Sequence, residues 1–150
     1  MNICLITEFF PKQTKPEFSG GVEARTFFIH KYLQQTQKVT VINRPKSNVS
    51  VSTNSIFPRL RFIISAISQA QKINADIYEG SNFICYPAAF IAAKLNHKPA
   101  VAWIPDLYLD TWFKNFSFIP ALSGYLLERL SLALPFDHFI AMSQTTKNKL

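Results

Sequence analysis

The sequence contains few of the residues that point directly to a metal or disulfide function. It has four glycines, two cysteines and three histidines among 150 residues, and only 17% of its residues are charged. Cys4 and Cys85 lie in separate apolar stretches, which is typical of small buried hydrophobic side chains rather than of a disulfide framework or a zinc site. The three histidines lack metal-ligand spacing. We therefore expect neither a bound metal nor a cofactor.

The chain also lacks an uninterrupted apolar run of about 20 residues, the length that a membrane span requires. Its longest apolar region, residues 118–136, carries Glu128 and Arg129 near the middle and so indicates an amphipathic or buried helix. The first ten residues have neither the basic start nor the cleavage site of a secretory signal peptide. A cytoplasmic location is the expectation.

What is abundant is apolar and basic. Hydrophobic residues make up 48% of the chain and include 14 phenylalanines, enough for one globular domain over residues 1–150. Sixteen Lys and Arg against nine Asp and Glu give a formal net charge of +7, which favours phosphate esters, nucleic acid or an anionic membrane as partners. No nucleic-acid-binding motif is present, so nucleic acid is not expected.

Short apolar runs alternate with segments of helical periodicity along the chain. The helix at 57–74 is indicated by the helical spacing of Phe57, Leu60, Ile64 and Ile67. The helix at 21–36 is indicated by Val22, Ile29 and Leu33, with Phe28 and Tyr32 beside them on the expected packing face. We predict strands at 2–7, 38–43, 76–80, 99–104 and 137–142, and further helices at 83–95, 120–134 and 144–150, the last N-capped by Ser143. This order predicts an α/β fold with a Rossmann-like parallel sheet flanked by helices.

Two of the four glycines, Gly20 and Gly21, stand side by side where the long loop 8–21 meets the first helix. The spacing excludes the G-x-G-x-x-G dinucleotide motif. A helix N-terminus favours an anion, and without side chains a diphosphate could approach the backbone closely. The alternative is that the pair supplies positive φ angles for a turn.

Four segments together resemble the N-terminal domain of family-4 retaining glycosyltransferases of GT-B fold. They are ICLITEFFP with SGGVEARTFFIHKYL, KVTVINRP, PAVAWIPDLYLDTW and LERLSLALPFDHFIAMSQTTKNKL, and the likeness covers essentially all 150 residues. It implies that Gly20 and Gly21 face the diphosphate of a nucleotide-sugar donor. It also implies a second, C-terminal domain with the nucleotide pocket, which this chain does not include, and transfer with retention that needs no metal.

The loop after the fourth strand departs from the family. It reads WIPDLYLD, with Pro105 where the family commonly has a histidine near the transferred sugar, and Asp106 is the nearest polar candidate for a catalytic role. Asp106 could instead form a turn by binding a local N–H. Trp112, in an aromatic loop, is a candidate for the acceptor site or for packing over the sheet. Glu23 and Ser143 are further substrate-binding candidates, and Asp110 is a weaker one.

The first hypothesis is therefore an acceptor-side transferase half, inactive without a complementary C-terminal domain or subunit, acting on an unknown sugar or lipid-linked acceptor. The alternative is a non-catalytic Rossmann-like binding module or degenerate transferase fragment. The basic residues Arg59, Arg61 and Lys72, with the aromatic loop 108–118, also suggest peripheral contact with the inner face of a membrane.

Overall fold

A computed structural model describes residues 1–11, 18–44, 56–109 and 111–150. Part of the predicted long loop (12–17) and Asp110 lie outside the described residues. Strands and helices alternate as expected: β1 (Asn2–Thr7), α1 (Gly21–Leu33), β2 (Lys38–Asn43), α2 (Ile56–Gln71), β3 (Ile77–Gly80), α3 (Tyr86–Leu95), β4 (Ala100–Ile104), α4 (Trp112–Asn115), α5 (Phe118–Leu132), β5 (His138–Ala141) and α6 (Gln144–Asn148).

The five strands form one parallel sheet in the order β2-β1-β3-β4-β5. Leu5 at the centre of β1 is paired with Val41 on one side and with Glu79 on the other. The direction of winding reverses between β1 and β3, and at such a switch point a crevice opens beyond the carboxyl ends of the strands. The predicted α/β, Rossmann-like fold is confirmed.

The helices form two unequal layers. α2, α3 and α5 contact one another on one face of the sheet, whereas α1 lies against β1 and β2 on the other. The interface of α2 with α3 is made of small side chains, among them Ala66, Ala70, Ala89 and Ala93, all of which are fully buried. Small side chains let the helix axes approach closely, and this layer therefore holds the main apolar core.

Both cysteines belong to that core. Cys4 on β1 and Cys85 before α3 are fully buried, free thiols. Burial raises the pKa of Cys4 to about 12 and also raises that of Cys85. Because the thiolate is the reactive form, these residues behave as the small hydrophobic side chains that the sequence predicts.

The helix positions were predicted better than the helix faces. In α2 the buried residues are Phe62, Ile63, Ala66 and Ala70. Of the positions that indicated the helix, Phe57, Leu60 and Ile64 are exposed, whereas Ile67 is partly buried against the core. In α1 the expected packing face is likewise wrong: Phe28 and Tyr32 are exposed, and Glu23, Thr26, Phe27 and His30 are buried. A helix that carries apolar residues on two sides has no unique packing face in its sequence.

Smaller features of the helices follow the sequence closely. Pro87 lies in the first turn of α3, as a proline at a helix start should. Ser143 N-caps α6 as predicted, since its Oγ accepts a hydrogen bond from the Thr146 amide at 3.1 Å. The four-residue helix α4 was not predicted. Within the described part of the chain, no helix has the length and apolarity needed to cross a bilayer.

Candidate functional site

Two adjoining cavities open at the carboxyl edge of the sheet. The inner pocket, of about 200 Å³, lies between the first turn of α1 and the loops after β3 and β4, with Val22, Asn82, Pro105, Asp106 and Glu128 in its walls. The outer pocket, of about 330 Å³, is mostly apolar. Phe83 and Tyr108 line both pockets. The first turn of α1 and the loop after β4 therefore meet at one cavity, but neither Gly20 nor Gly21 is among the residues that line the two pockets.

The glycine pair stands at the α1 side of this crevice. Gly20 is the N-cap of α1 with φ −178° and ψ 173°, an extended conformation that any residue adopts. None of the described glycines has a positive φ, so the proposed turn function of the pair is wrong. Among the residues that the structure describes, none has an atom within 4 Å of a Cβ built on Gly20 or Gly21. Neither backbone conformation nor packing within the described residues requires glycine here.

Glu23 organises the entry to α1. Its Oε2 accepts hydrogen bonds from the Ser19 amide at 2.8 Å and from the Ser19 hydroxyl, while the side chain is almost completely buried. The carboxylate thereby ties the loop to the first helical turn, much as a capping residue does. The substrate-binding role of Glu23 stays a prediction.

Asp106 has the turn geometry that was its alternative interpretation. Its Oδ1 accepts a hydrogen bond from the Leu107 amide at 2.8 Å, and the exposed carboxylate lies 3.9 Å from Lys149 Nζ. The same residue is in the wall of the inner pocket, next to Pro105. The Asp106 carboxylate therefore holds the loop through Oδ1, and its catalytic assignment stays a prediction.

Trp112 closes the other side of the β4 loop. Its indole Nε1 donates to Glu128 Oε2 at 2.6 Å, and its ring lies against Phe83, Tyr108 and Phe116 at centroid distances of 5.1 to 5.6 Å. The ring also covers Gly124, where a Cβ would come within 2.4 Å of the indole. Trp112 is thus both packed over the sheet end and part of the outer pocket wall.

Glu128 is the residue around which this loop is built. Only 1% exposed, it accepts from the Tyr108 amide through Oε1 at 3.0 Å and from Trp112 through Oε2. Burial raises its pKa above the ordinary glutamate range, although the two hydrogen bonds oppose this by favouring the ionised form. A single buried carboxyl group therefore fixes two points of the loop between β4 and α5.

A charged cluster marks the carboxyl end of β1. Glu8 is buried, and its Oε1 lies 3.2 Å from Nε of Arg59, which belongs to α2. The same oxygen lies 3.3 Å from Nη1 of Arg44, the residue that follows β2. Two guanidinium groups share one carboxylate, which leaves a net positive charge beside the crevice. Arg59 also lines the outer pocket, where it is the one charged residue among the described wall residues.

A second ion pair anchors α1 to the sheet. The two terminal nitrogens of Arg25, Nη1 and Nη2, contact the Glu79 carboxylate on β3, Nη2 at 3.3 Å. The guanidinium carbon of Arg25 also lies 4.5 Å from the centroid of the Trp103 ring. Nearby, the hydroxyl of Thr26 is 3.3 Å from that of Ser81. These polar contacts position the N-terminal half of α1 over β3 and β4, beside the crevice.

Ser143 and the histidines do not join this site. The Ser143 hydroxyl is used as the α6 cap and is not among the residues that line either cavity. His30 is buried against Phe10, with burial lowering its pKa, while His97 and His138 are exposed. Among the described residues, no group of three or more His, Cys, Asp or Glu side chains has the geometry to hold a metal ion.

Comparison with known proteins adds no assignment. No protein-family model matches the chain, and no curated protein is similar enough to count as a match. The observed class is an α/β protein with a doubly wound parallel sheet and a crevice at its carboxyl edge.

The sequence did not single out Glu8, Arg44 or Glu128 as site residues. A usable signal existed for Glu128, because a lone acid within a long apolar segment is expected to be paired when it is buried. The signal for Glu8 was weaker: this residue directly follows a buried strand, and side chains at that position lie at the carboxyl edge of the sheet.

Proposed function

We propose that the chain is the acceptor-side domain of a sugar transferase that uses a nucleotide-diphosphate sugar. In this proposal Gly20 and Gly21 admit the donor diphosphate, the outer pocket takes the acceptor, and Asp106 faces the reacting sugar. The nucleotide itself is held by a complementary C-terminal domain or subunit. Transfer proceeds with retention and without a metal ion, as the family resemblance implies.

The observation that best supports this proposal is the composition of the inner pocket. Its walls include Val22 from the first turn of α1 and Pro105 and Asp106 from the loop after β4. These segments are more than 80 residues apart in the sequence, and they are two of the segments that carry the resemblance. The open space beside Gly20 and Gly21 adds to this, since it leaves room for a ligand at the backbone.

Pro105 favours a second candidate, a non-catalytic binding module with the same fold. A proline side chain offers neither a donor nor an acceptor, so the role of the family histidine is either lost or taken over by another group. The location in this proposal is the cytoplasm, with peripheral contact at the inner face of a membrane where a lipid-linked acceptor would be found.

Equilibrium dialysis and a hydrolysis assay separate these candidates. Because the chain meets only the shared diphosphate in this proposal, we expect it to bind UDP-glucose, GDP-mannose and ADP-glucose weakly and with similar affinity. Inorganic pyrophosphate should compete, and no free sugar should be released. Binding of none of the three at millimolar concentrations would contradict the donor site. Turnover by the chain alone would contradict the requirement for a second domain.

A further inference from the structure

The outward sides of α2 and α5 carry apolar stripes that the fold leaves uncovered. On α5, Ile119, Leu122, Leu126 and Leu130 recur at spacings of three, four and four, and all are exposed. They lie opposite the buried residues of that helix, Ala121, Glu128 and Ser131. This spacing keeps them on one helix face, and that face points to solvent.

α2 has a matching stripe. Phe57, Leu60 and Ile64 are exposed and lie opposite the buried Phe62, Ile63, Ala66 and Ala70. Because α2, α3 and α5 belong to one layer on the sheet, their outward sides face the same direction. Ile91 and Leu95 of α3, which lies between them, are exposed as well. We call the outward sides of these three helices the helix-layer surface.

The charge on this surface has one sign. The sequences of α2, α3 and α4 contain no Asp or Glu, and the single acid of α5, Glu128, is buried. Exposed cations are present on the two helices that carry the stripes: Arg61 on α2 and Arg129 on α5. An apolar surface with only positive charges complements an anionic lipid headgroup layer.

A second copy of the chain fits this surface less well. A twofold contact would place the surface against itself and bring its cations together, with no exposed acid on these helices to pair with them. The charge pattern thus selects a partner that is anionic and can accept apolar side chains, and a bilayer that contains anionic lipid has both properties.

We propose that the helix-layer surface docks on an anionic membrane, with the apolar stripes of α2 and α5 inserted among the lipids and the cations at the headgroups. This inference deepens the membrane contact within the proposed function. It places that contact on the two helices rather than on the loop 108–118, much of which packs around Trp112 and Glu128.

Co-sedimentation with vesicles tests the assignment. We expect the chain to bind mixed phosphatidylcholine–phosphatidylglycerol vesicles and not phosphatidylcholine alone. Binding should weaken from about 0.1 M to about 1 M salt, over which the Debye length falls from about 10 Å to about 3 Å. Equal binding to both vesicle types, or none to either, would overturn the proposal.

Matched variants locate the surface. Leu130→Glu on α5 (67% exposed) and Ile64→Glu on α2 (70% exposed) should each weaken vesicle binding about tenfold or more. Tyr32→Glu on α1 is the control, because this residue is similarly exposed at 63% but lies on the opposite face of the sheet. An equal loss in all three variants, with circular dichroism showing native folds, would overturn the assignment.

Light scattering without lipid tests whether a second copy of the chain binds the helix-layer surface instead. We expect a monomer, and a dimer that Leu130→Glu dissociates would show that the surface binds a second copy instead. Because no nucleotide sugar is present in these experiments, their failure would remove the membrane contact and leave the proposed transfer reaction standing. Failure of the dialysis experiment would remove the donor site and leave the membrane contact standing.

Discussion

The loop after β1 and the loop after β4 border the same crevice, yet they are built in opposite ways. The β4 loop is closed on itself: Trp112 covers Gly124, and Glu128 holds both Trp112 and the Tyr108 amide. At the end of the β1 loop, by contrast, no described residue lies within 4 Å of where Gly20 and Gly21 side chains would project. The same residue type therefore has different roles in the two loops. Gly124 makes room for the packed Trp112 ring, whereas Gly20 and Gly21 leave the backbone accessible to a ligand.

The largest effect should come from the closed loop. Gly124→Ala would place a methyl group within 2.4 Å of the Trp112 ring, so the ring must move and lose its bond to Glu128. Overpacking of this kind costs about 1–3 kcal/mol, more than the roughly 1 kcal/mol that alanine gains over glycine in a helix. Urea unfolding should show a clear net destabilisation. An unchanged midpoint would mean that the loop is not closed as described.

Glu128→Gln should destabilise the same closed loop to a similar extent. An amide offers one acceptor oxygen for two donors, and leaving a buried donor unsatisfied costs about 1–3 kcal/mol. The cost should depend on pH. Burial raises the pKa of Glu128 in the folded protein. The contribution of Glu128 to the free energy of unfolding is therefore complete below the ordinary glutamate pKa of about 4.3, and it is lost as pH rises through the raised pKa of the folded state.

The wild-type protein should therefore lose part of its stability advantage over Glu128→Gln over the pH range above about 4.3, because glutamine does not titrate. Urea unfolding of both proteins across this range measures the difference. An advantage that grows with pH would show that the hydrogen bonds from Tyr108 and Trp112 outweigh burial, which would reverse the stated pKa direction.

Gly21→Ala should have the smallest effect on stability and serves as the matched control for Gly124→Ala. Gly21 begins α1, its φ is not positive, and its Cβ would project into open space. The same substitution should therefore be neutral or stabilise by about 0.4–1 kcal/mol. A thermal unfolding scan of the two variants side by side tests the contrast, and a large loss at Gly21 would remove the distinction between the open and the closed loop.

The sheet could be predicted from the sequence because each strand is a short apolar run and the helices between them are long enough for parallel crossovers. The packing of the helices could not. α2 has apolar residues on two sides, and only contact with α3 decides that Phe62 and Ile63 are buried while Phe57 and Ile64 are not.

The candidate site was predictable in part for a related reason. The position of the two loops follows from strand order, since the ends of parallel strands share one edge. The role of Glu128 depends on partners 16 and 20 residues away, brought to it by the unpredicted helix α4. Likewise, Gly124 is constrained only by the ring of Trp112, a tertiary contact that its own neighbours in sequence do not reveal.

The most direct test of the proposed donor site is an amide-resolved NMR titration with UDP-glucose, GDP-mannose and ADP-glucose, each compared with inorganic pyrophosphate. We expect all three nucleotide sugars and pyrophosphate to shift the amides of Gly20, Gly21 and Val22, because they share the diphosphate group. In a well-folded Gly21→Ala protein these shifts should be lost or require much more ligand. Shifts confined to other parts of the chain, or full affinity in Gly21→Ala, would contradict a diphosphate site at the glycine pair.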